Sequence, residues 1–434
     1  MASAEPNNRE PALERRMKNV ASRFPGSAGS PYVDARAELR RVCDWLVEQQ
    51  TEEGLWPEGK ANLRFYSDAY AVRALMAAAR LLGDERYRAA ARRWIEHLVR
   101  IQRSDGGWWV GYGWGDHDWT DADVDQSVVY VADAGEVSLA LVCAYHDLRA
   151  DAKTRALAKK VKASLLRFRN FTEHFRLASG AMGIGYTHRD FYADTPKQLP
   201  YMQAHHRPYA FATGATGVNS YAGLYTITGD AADWQRAMQS LDWCLENMGT
   251  ASMGSSARAV ESNDDRDIIG LHRVGDWAFD CSTAPRDEAA AGCPTPEPRF
   301  ASGERQKLYA VWKWIMHLVA DRQSVLGEWP LFRGGKPVVA YNGALRHRLF
   351  FGYSLANYVN TLSVRPGEDE RLATARDRQL WLCADRDVLR EHYGVCMPGA
   401  HVMPTGLRGL TLAEILAPGI SRPSGIRRQT SGKK

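Results

Sequence analysis

The segment Glu53-Gly54-Leu55-Trp56-Pro57 comes back as Asp105-Gly106-Gly107-Trp108-Trp109, and again as Gly327-Glu328-Trp329-Pro330. The first two follow glutamine-bearing helix ends, Gln49-Gln50 and Gln102, and each is followed by a long polar loop and then an apolar helix. A signature recurring at the end of successive helices marks a repeated helical hairpin. Hairpins of this kind bury a shared core only by stacking, and they close into a ring around a deep pocket.

Working outward, apolar residues recur at helical spacing in Ala35–Gln50, Asp68–Leu82, Arg86–Gln102, Asp133–Leu148, Thr154–Arg169, Gly217–Ile227, Asp233–Met248, Glu304–Val319, Ala344–Leu362 and Arg371–Cys383. Alternating Val-, Ile- and Thr-rich runs bounded by turn pairs are nearly absent, so the chain is expected to be all-α. One further inner helix belongs somewhere between Ser255 and Ala290, and a sixth hairpin near Thr405–Leu416 is only faintly signalled. Short links such as Gly83-Asp84, Arg149–Ala152, Gly229-Asp230 and Arg365–Asp369 join a small-residue-rich helix to a more charged amphipathic one. The return connections are long: Thr51–Ser67, Ser104–Ala132, Asn170–Thr216, Gly249–Ser302 and Arg322–Gly343. In an antiparallel ring, alternate connections lie at opposite ends, so all the long ones gather on one rim. Loops collected at one end of a rigid scaffold are where sites are built.

The chain has 434 residues, 45% of them hydrophobic, enough for one large core. The division read from the sequence is a flexible N-terminal segment over 1–31, a single toroid domain over 32–418 and a flexible basic tail over 419–434. Seven cysteines in odd number, without a CxxC pair, argue against a disulfide framework and a zinc ribbon and point to a reducing, cytoplasmic setting. No secretion-type apolar core stands near Met1, and no stretch reaches the roughly 18 uninterrupted apolar residues of a membrane span. Net charge is +5 without a basic stripe interleaved with aromatics, so no nucleic-acid or membrane partner is expected, while an anionic small substrate fits. The oligomeric state is not legible.

The runs Ala74–Trp94 and Tyr221–Trp243, with turns Leu82-Gly83-Asp84-Glu85-Arg86-Tyr87 and Thr228-Gly229-Asp230, resemble the (α/α)6-toroid glycoside hydrolases and polysaccharide lyases. That resemblance covers about residues 35–383 and implies a double ring of helical hairpins with an oligosaccharide substrate. Gln102-Arg103-Ser104-Asp105-Gly106-Gly107-Trp108 resembles instead the repeat of terpenoid cyclases and protein prenyltransferases, which also use helical double rings.

Hydrolysis of a glycosidic bond needs two carboxyl groups across the scissile oxygen, roughly 5 to 9.5 Å apart. Candidates at the rim ends of inner helices are Asp68, Asp133 and Glu136, the last two on one helical face. Asp133 is the first choice, because an aromatic-rich loop precedes it and small residues follow it. For Asp68 and Asp133 the competing role is capping of a helix start. In the preceding loop, Trp108, Trp109, Trp114 and Trp119 stand among glycines as platforms for stacked sugar rings, or as seals of the loop against the barrel. Asp121, Asp123 and Asp125 lack the Gly and Glu of a calcium loop and read as a solvated turn.

Elimination from a uronate needs a group to neutralise the carboxylate, a base for the C5 proton and an acid for the leaving oxygen. His205, His206, Arg207 and Tyr209, with Tyr341, Asn342, Arg346 and His347, supply those residue types. The adjacent His205 and His206 side chains diverge, so neither a metal nor another cofactor is expected. GxSxG and GxxxxGK[ST] are both absent, which disfavours serine-nucleophile and nucleotide chemistry. The leading expectation is an enzyme cleaving a glycosidic bond in an anionic, uronate-containing oligosaccharide by carboxylate hydrolysis, slightly ahead of a His/Tyr lyase. A terpenoid-cyclase-like enzyme, a non-catalytic glycan-binding toroid and a His-pair epimerase are the alternatives.

Overall fold

The computed structural model describes residues 33–56, 65–108, 128–183, 185–187, 208–247, 307, 332–333, 336–337, 402–416 and 426–427. After the two-residue strand β1 (Val33–Asp34), Asp34 caps α1 (Ala35–Gln49), its Oδ1 accepting the Arg36 and Ala37 N–H at 3.1 and 3.0 Å. Only one face of α1 is buried: Ala35, Leu39, Val42, Cys43 and Leu46. In α2 (Phe65–Leu82), by contrast, every residue from Phe65 to Ala79 is buried. A helix enclosed all round belongs to an inner layer and a one-faced helix to an outer one.

The alternation continues through one-faced α3 (Glu85–Ile101), enclosed α4 (Val131–Arg149) and one-faced α5 (Arg155–Thr172). Strand β2 (Val128–Tyr130) runs straight into α4 and pairs antiparallel with β3 (Gly185–Thr187), joining the two long connections that lead into and away from that hairpin. The next enclosed helix starts as α6 (Ala210–Ala212), passes through a π-helical stretch (Thr213–Ser220) and finishes as α7 (Tyr221–Thr228). Outer α8 (Ala231–Asn247) follows, then the short pair β4 (Phe332–Arg333) and β5 (Lys336–Pro337), α9 (Val402–Leu416), and β6 (Ile426–Arg427), which pairs parallel with β1. Part of segment 419–434 is thus laid back on the domain. No described helix is long and apolar enough to cross a membrane.

Inner helices α9, α2, α4 and the π segment stand side by side in that order, with α1, α3, α5 and α8 packed outside them. The short turns work as the Gly-Asp pairs imply. Gly83 and Gly229 end their helices at φ 71° and 70° and donate back to Ala79 and Tyr225 carbonyls, and Asp84 and Asp230 then accept the Arg86 and Ala232 N–H groups of the next helix. The faintly signalled segment near Thr405–Leu416 is helical: α9 lies against α2, with no room for a side chain at Gly406 beside the Tyr70 and Ala71 backbone. Arg408, fully buried, reaches Glu38 at 2.6 Å across a separation of 370 residues, closing the ring from its far end.

The opening repeat is a hydrogen-bonded turn. Gln50 Nε2 donates to Gly54 O and to Ala90 O of α3, both at 2.9 Å, and Trp56 Nε1 donates to Leu46 O at 2.7 Å. One hairpin on, Gln102 Nε2 donates to Gly106 O and to Ser164 O of α5, and Trp108 Nε1 to Leu98 O. A further copy, absent from the sequence reading, occupies Leu177–Met182. Leu177 N donates to Ala181 O and Gly180 N to Leu177 O, matching Arg103 N to Gly107 O and Gly106 N to Arg103 O. Arg176 takes the glutamine's place there, its Nη2 donating to Arg236 O of α8 at 3.1 Å. The copy read at Gly327–Pro330 lies outside the described residues.

One buried titratable group ties this core to pH. His146 of α4 is 3% exposed, and its Nε2 lies 2.9 Å from Thr226 Oγ1. Thr226 spends its own proton on Gly223 O, so Nε2 must be the donor, and Nδ1 has no hydrogen-bond partner. That is a neutral imidazole: burial, reinforced by Arg149, pushes its pKa down from 6.5 to about 4. The contribution to stability is complete above pH 6.5 and is lost as pH falls towards 4, amounting to about 3 kcal/mol. Wild type should therefore lose about that much relative to His146→Gln between pH 7 and pH 4 in urea titrations. Parallel stability curves would refute the assignment.

Candidate active site

Inner helices α2, α4 and α6 each follow a long connection, so among the described residues their N-terminal ends lie at the same end of the helical array. At the start of α2, Asp68 is the fourth helical residue rather than a cap, 1% exposed, and its Oδ2 accepts the Trp94 indole N–H of α3 at 3.2 Å. Its carboxyl fastens the inner helix to the outer one through that bond. Trp108 makes the contacts of the seal, one of the two roles the sequence offers. It is 1% exposed, hydrogen-bonded to Leu98 O and packed 5.0 Å from Phe168, so it seals a hairpin turn and offers no sugar platform.

At the start of α4, Asp133 is the third helical residue and half-buried. One turn on, Glu136 is buried, and its Oε2 lies 3.5 Å from Arg73 Nη1 of α2, with both side chains 1% exposed. The pair bridges adjacent inner helices one turn along α4 from Asp133. A buried ion pair of this kind is costly to break from one side, because the remaining charge is left without its counter-ion. Arg73 was missed in the sequence, although a lone cation within Ala69-Tyr70-Ala71-Val72-Arg73-Ala74-Leu75 is a visible anomaly in a helix of small apolar residues.

At the third inner helix, Tyr209 precedes α6. Its N–H donates to Met182 O at 2.9 Å, and its carbonyl accepts from both the N–H and the hydroxyl of Thr213, fixing the helix start to the Gly180 turn. The ring is half-buried, 6.1 Å from Phe211. Trp109, Trp114, Trp119, His205, His206, Arg207, Tyr341, Asn342, Arg346 and His347, with the Asp121–Asp125 turn, lie outside the described residues. Of the predicted site, the described residues place Asp133 and Glu136 one turn apart on α4, with Arg73 paired to Glu136. Among the described residues no cluster of His, Cys, Asp or Glu is arranged to hold a metal ion.

With this geometry, the chain is an (α/α)6 toroid, a fold built of six helical hairpins in two concentric rings. No family model matches the sequence and no curated protein matches it. Solved structures match over nearly the whole chain. A sugar epimerase from a ruminal bacterium is 12% identical with a TM-score of 0.57, covering 89% of this chain and 99% of its own. A possible member of the GH105 family from Salmonella enterica serovar Paratyphi A is 12% identical with a TM-score of 0.54, covering 88% and 93%. A glycosyl hydrolase of family 88 from Bacteroides vulgatus is 11% identical with a TM-score of 0.50, covering 88% and 99%. At such identities the shared property is the fold.

Proposed function

We propose that this protein is an enzyme that hydrolyses a glycosidic bond in an anionic, uronate-containing oligosaccharide held at the mouth formed by the inner-helix N-termini. The observation that carries the reading is the half-buried Asp133 in the first turn of α4, directly after β2, where the β2–β3 pair joins two long connections at the mouth. A carboxyl group set there can donate a proton to the leaving oxygen while remaining accessible to substrate. Glu136, the second carboxylate of the sequence reading, is held by Arg73 one turn away, and positions three apart on a helix stand about 5–6 Å apart at Cβ, compatible with a carboxyl pair flanking a scissile bond. The solved structures of the same fold, carrying sugar epimerase and glycosyl hydrolase names, support a carbohydrate substrate.

The test is incubation with a panel of neutral and uronate oligosaccharides, reading reducing ends, absorbance near 232 nm and sugar configuration together. Reducing ends should rise on uronate substrates with the absorbance flat. Rising absorbance would mean elimination and would move the chemistry to His205, His206, Tyr209, Asn342 and Arg346. A changed configuration without bond loss would mean epimerisation, and affinity without turnover a binding toroid. Each of these three results overturns hydrolysis.

A further inference from the structure

The third inner helix is not α-helical where it meets α4. Thr213–Ser220 is wound as a π-helix, and all eight residues are buried. Such i→i+5 winding is rare, usually confined to a single turn, and concentrated at functional sites. Its sequence, Thr-Gly-Ala-Thr-Gly-Val-Asn-Ser, carries no charge and little bulk, so its winding must be held by what it touches.

What it touches is the turn that carries Asp133. Thr216 Oγ1 donates to Val131 O, two residues before Asp133. At Gly135, two residues after it, an added Cβ would sit 2.8 Å from the Ala215 carbonyl carbon, so glycine is what lets the two backbones close. Ser138 and Ser220 meet hydroxyl to hydroxyl at 2.5 Å, while Ser138 donates to Gly135 O at 2.8 Å and the Ser220 hydroxyl lies 3.3 Å from Ala215 O, five residues back. In an i→i+5 helix, residues four and five apart share a face, which is how Ala215, Thr216 and Ser220 all address α4 at once.

We propose that the π-helical segment is a clamp on the first turn of α4, and that Thr216 is a positioning residue that sets the direction in which Asp133 meets substrate. This rests on the reading of Asp133 as the acid of the reaction. A hydroxyl gripping the carbonyl at one end of the turn, and a side-chain-free contact at the other, fix the backbone on both sides of Asp133 without touching its carboxyl group. A catalytic group misdirected by a fraction of an ångström loses turnover while binding is retained.

Thr216→Val keeps the shape and removes the donor, whereas Thr216→Ser keeps the donor. In the valine variant, hydrogen-exchange protection of the Val131–Glu136 amides should fall about tenfold, and kcat on the oligosaccharide hydrolysed fastest in the panel should fall about tenfold with KM little changed, as loss of one oriented hydrogen bond implies. The serine variant should restore both. Unchanged protection in Thr216→Val overturns the clamp, and lost protection with unchanged kcat overturns its link to turnover. A fully active Asp133→Asn enzyme overturns the underlying reading, and that failure is distinguishable because protection in Thr216→Val would still fall.

Discussion

Replacing Asp133 by asparagine is expected to lower kcat by about 10²- to 10⁴-fold, the range general acid catalysis contributes, with an unchanged thermal midpoint. The substitution is isosteric, so the half-buried position keeps its packing and the neighbouring Glu136–Arg73 pair keeps its 3.5 Å contact. What disappears is the proton. An amide can still hydrogen-bond a glycosidic oxygen, but it cannot transfer a proton to it, so substrate binding should survive and the KM change should be small. The measurement is kcat and KM on the best substrate, beside a melting curve. Retention of more than about a tenth of wild-type kcat in a folded variant removes Asp133 from the chemistry.

The second large effect falls on stability. Gly106→Ala should cost about 3–5 kcal/mol, combining backbone strain with overpacking against fixed atoms. At φ 97° an L side chain is strained, and its Cβ would sit 2.7 Å from the Arg167 carbonyl carbon of α5, which cannot yield without moving a helix. Gly83 provides the control. Its φ is 71°, in the same left-handed region, yet nothing lies within 4 Å of an added Cβ. Gly83→Ala should therefore show the strain alone, about 1–2 kcal/mol. Thermal midpoints of the two variants separate the components, and equal losses would mean that the close approach to Arg167 carries no weight.

Much of the scaffold was readable from residue chemistry. The Gly-Asp turns declare an inner helix ending and an outer one starting, because a left-handed glycine cap and an aspartate N-cap are side by side in sequence. The Trp-bearing turns were visible because two copies kept both glutamine and tryptophan, and the copy at Leu177–Met182 escaped because Arg176 stands in place of the glutamine and Met182 in place of the tryptophan. For Trp108 the sequence left two roles open for a physical reason: glycines beside an indole permit close approach, and sequence does not say whether the approaching surface is a sugar or a neighbouring helix. Asp133 and Glu136 are legible as a pair at a helix start, whereas the partner of Glu136, Arg73, sits on another helix whose sequence gives no sign of which carboxylate it faces. The π winding left no trace because four- and five-residue spacing of small polar residues overlaps the ordinary helical period.

A ring has a seam, and here it lies where α9 meets α1 and α2, with Arg408 and Glu38 separated by 370 residues of chain. During synthesis the early hairpins can stack on one another as they emerge, but the surface that Gly406 occupies against Tyr70 and Ala71 stays bare until the last inner helix has been made. The nascent protein therefore exposes an apolar flank for most of its translation, and it commits to its final form only through contacts of very long range, the slowest kind to establish.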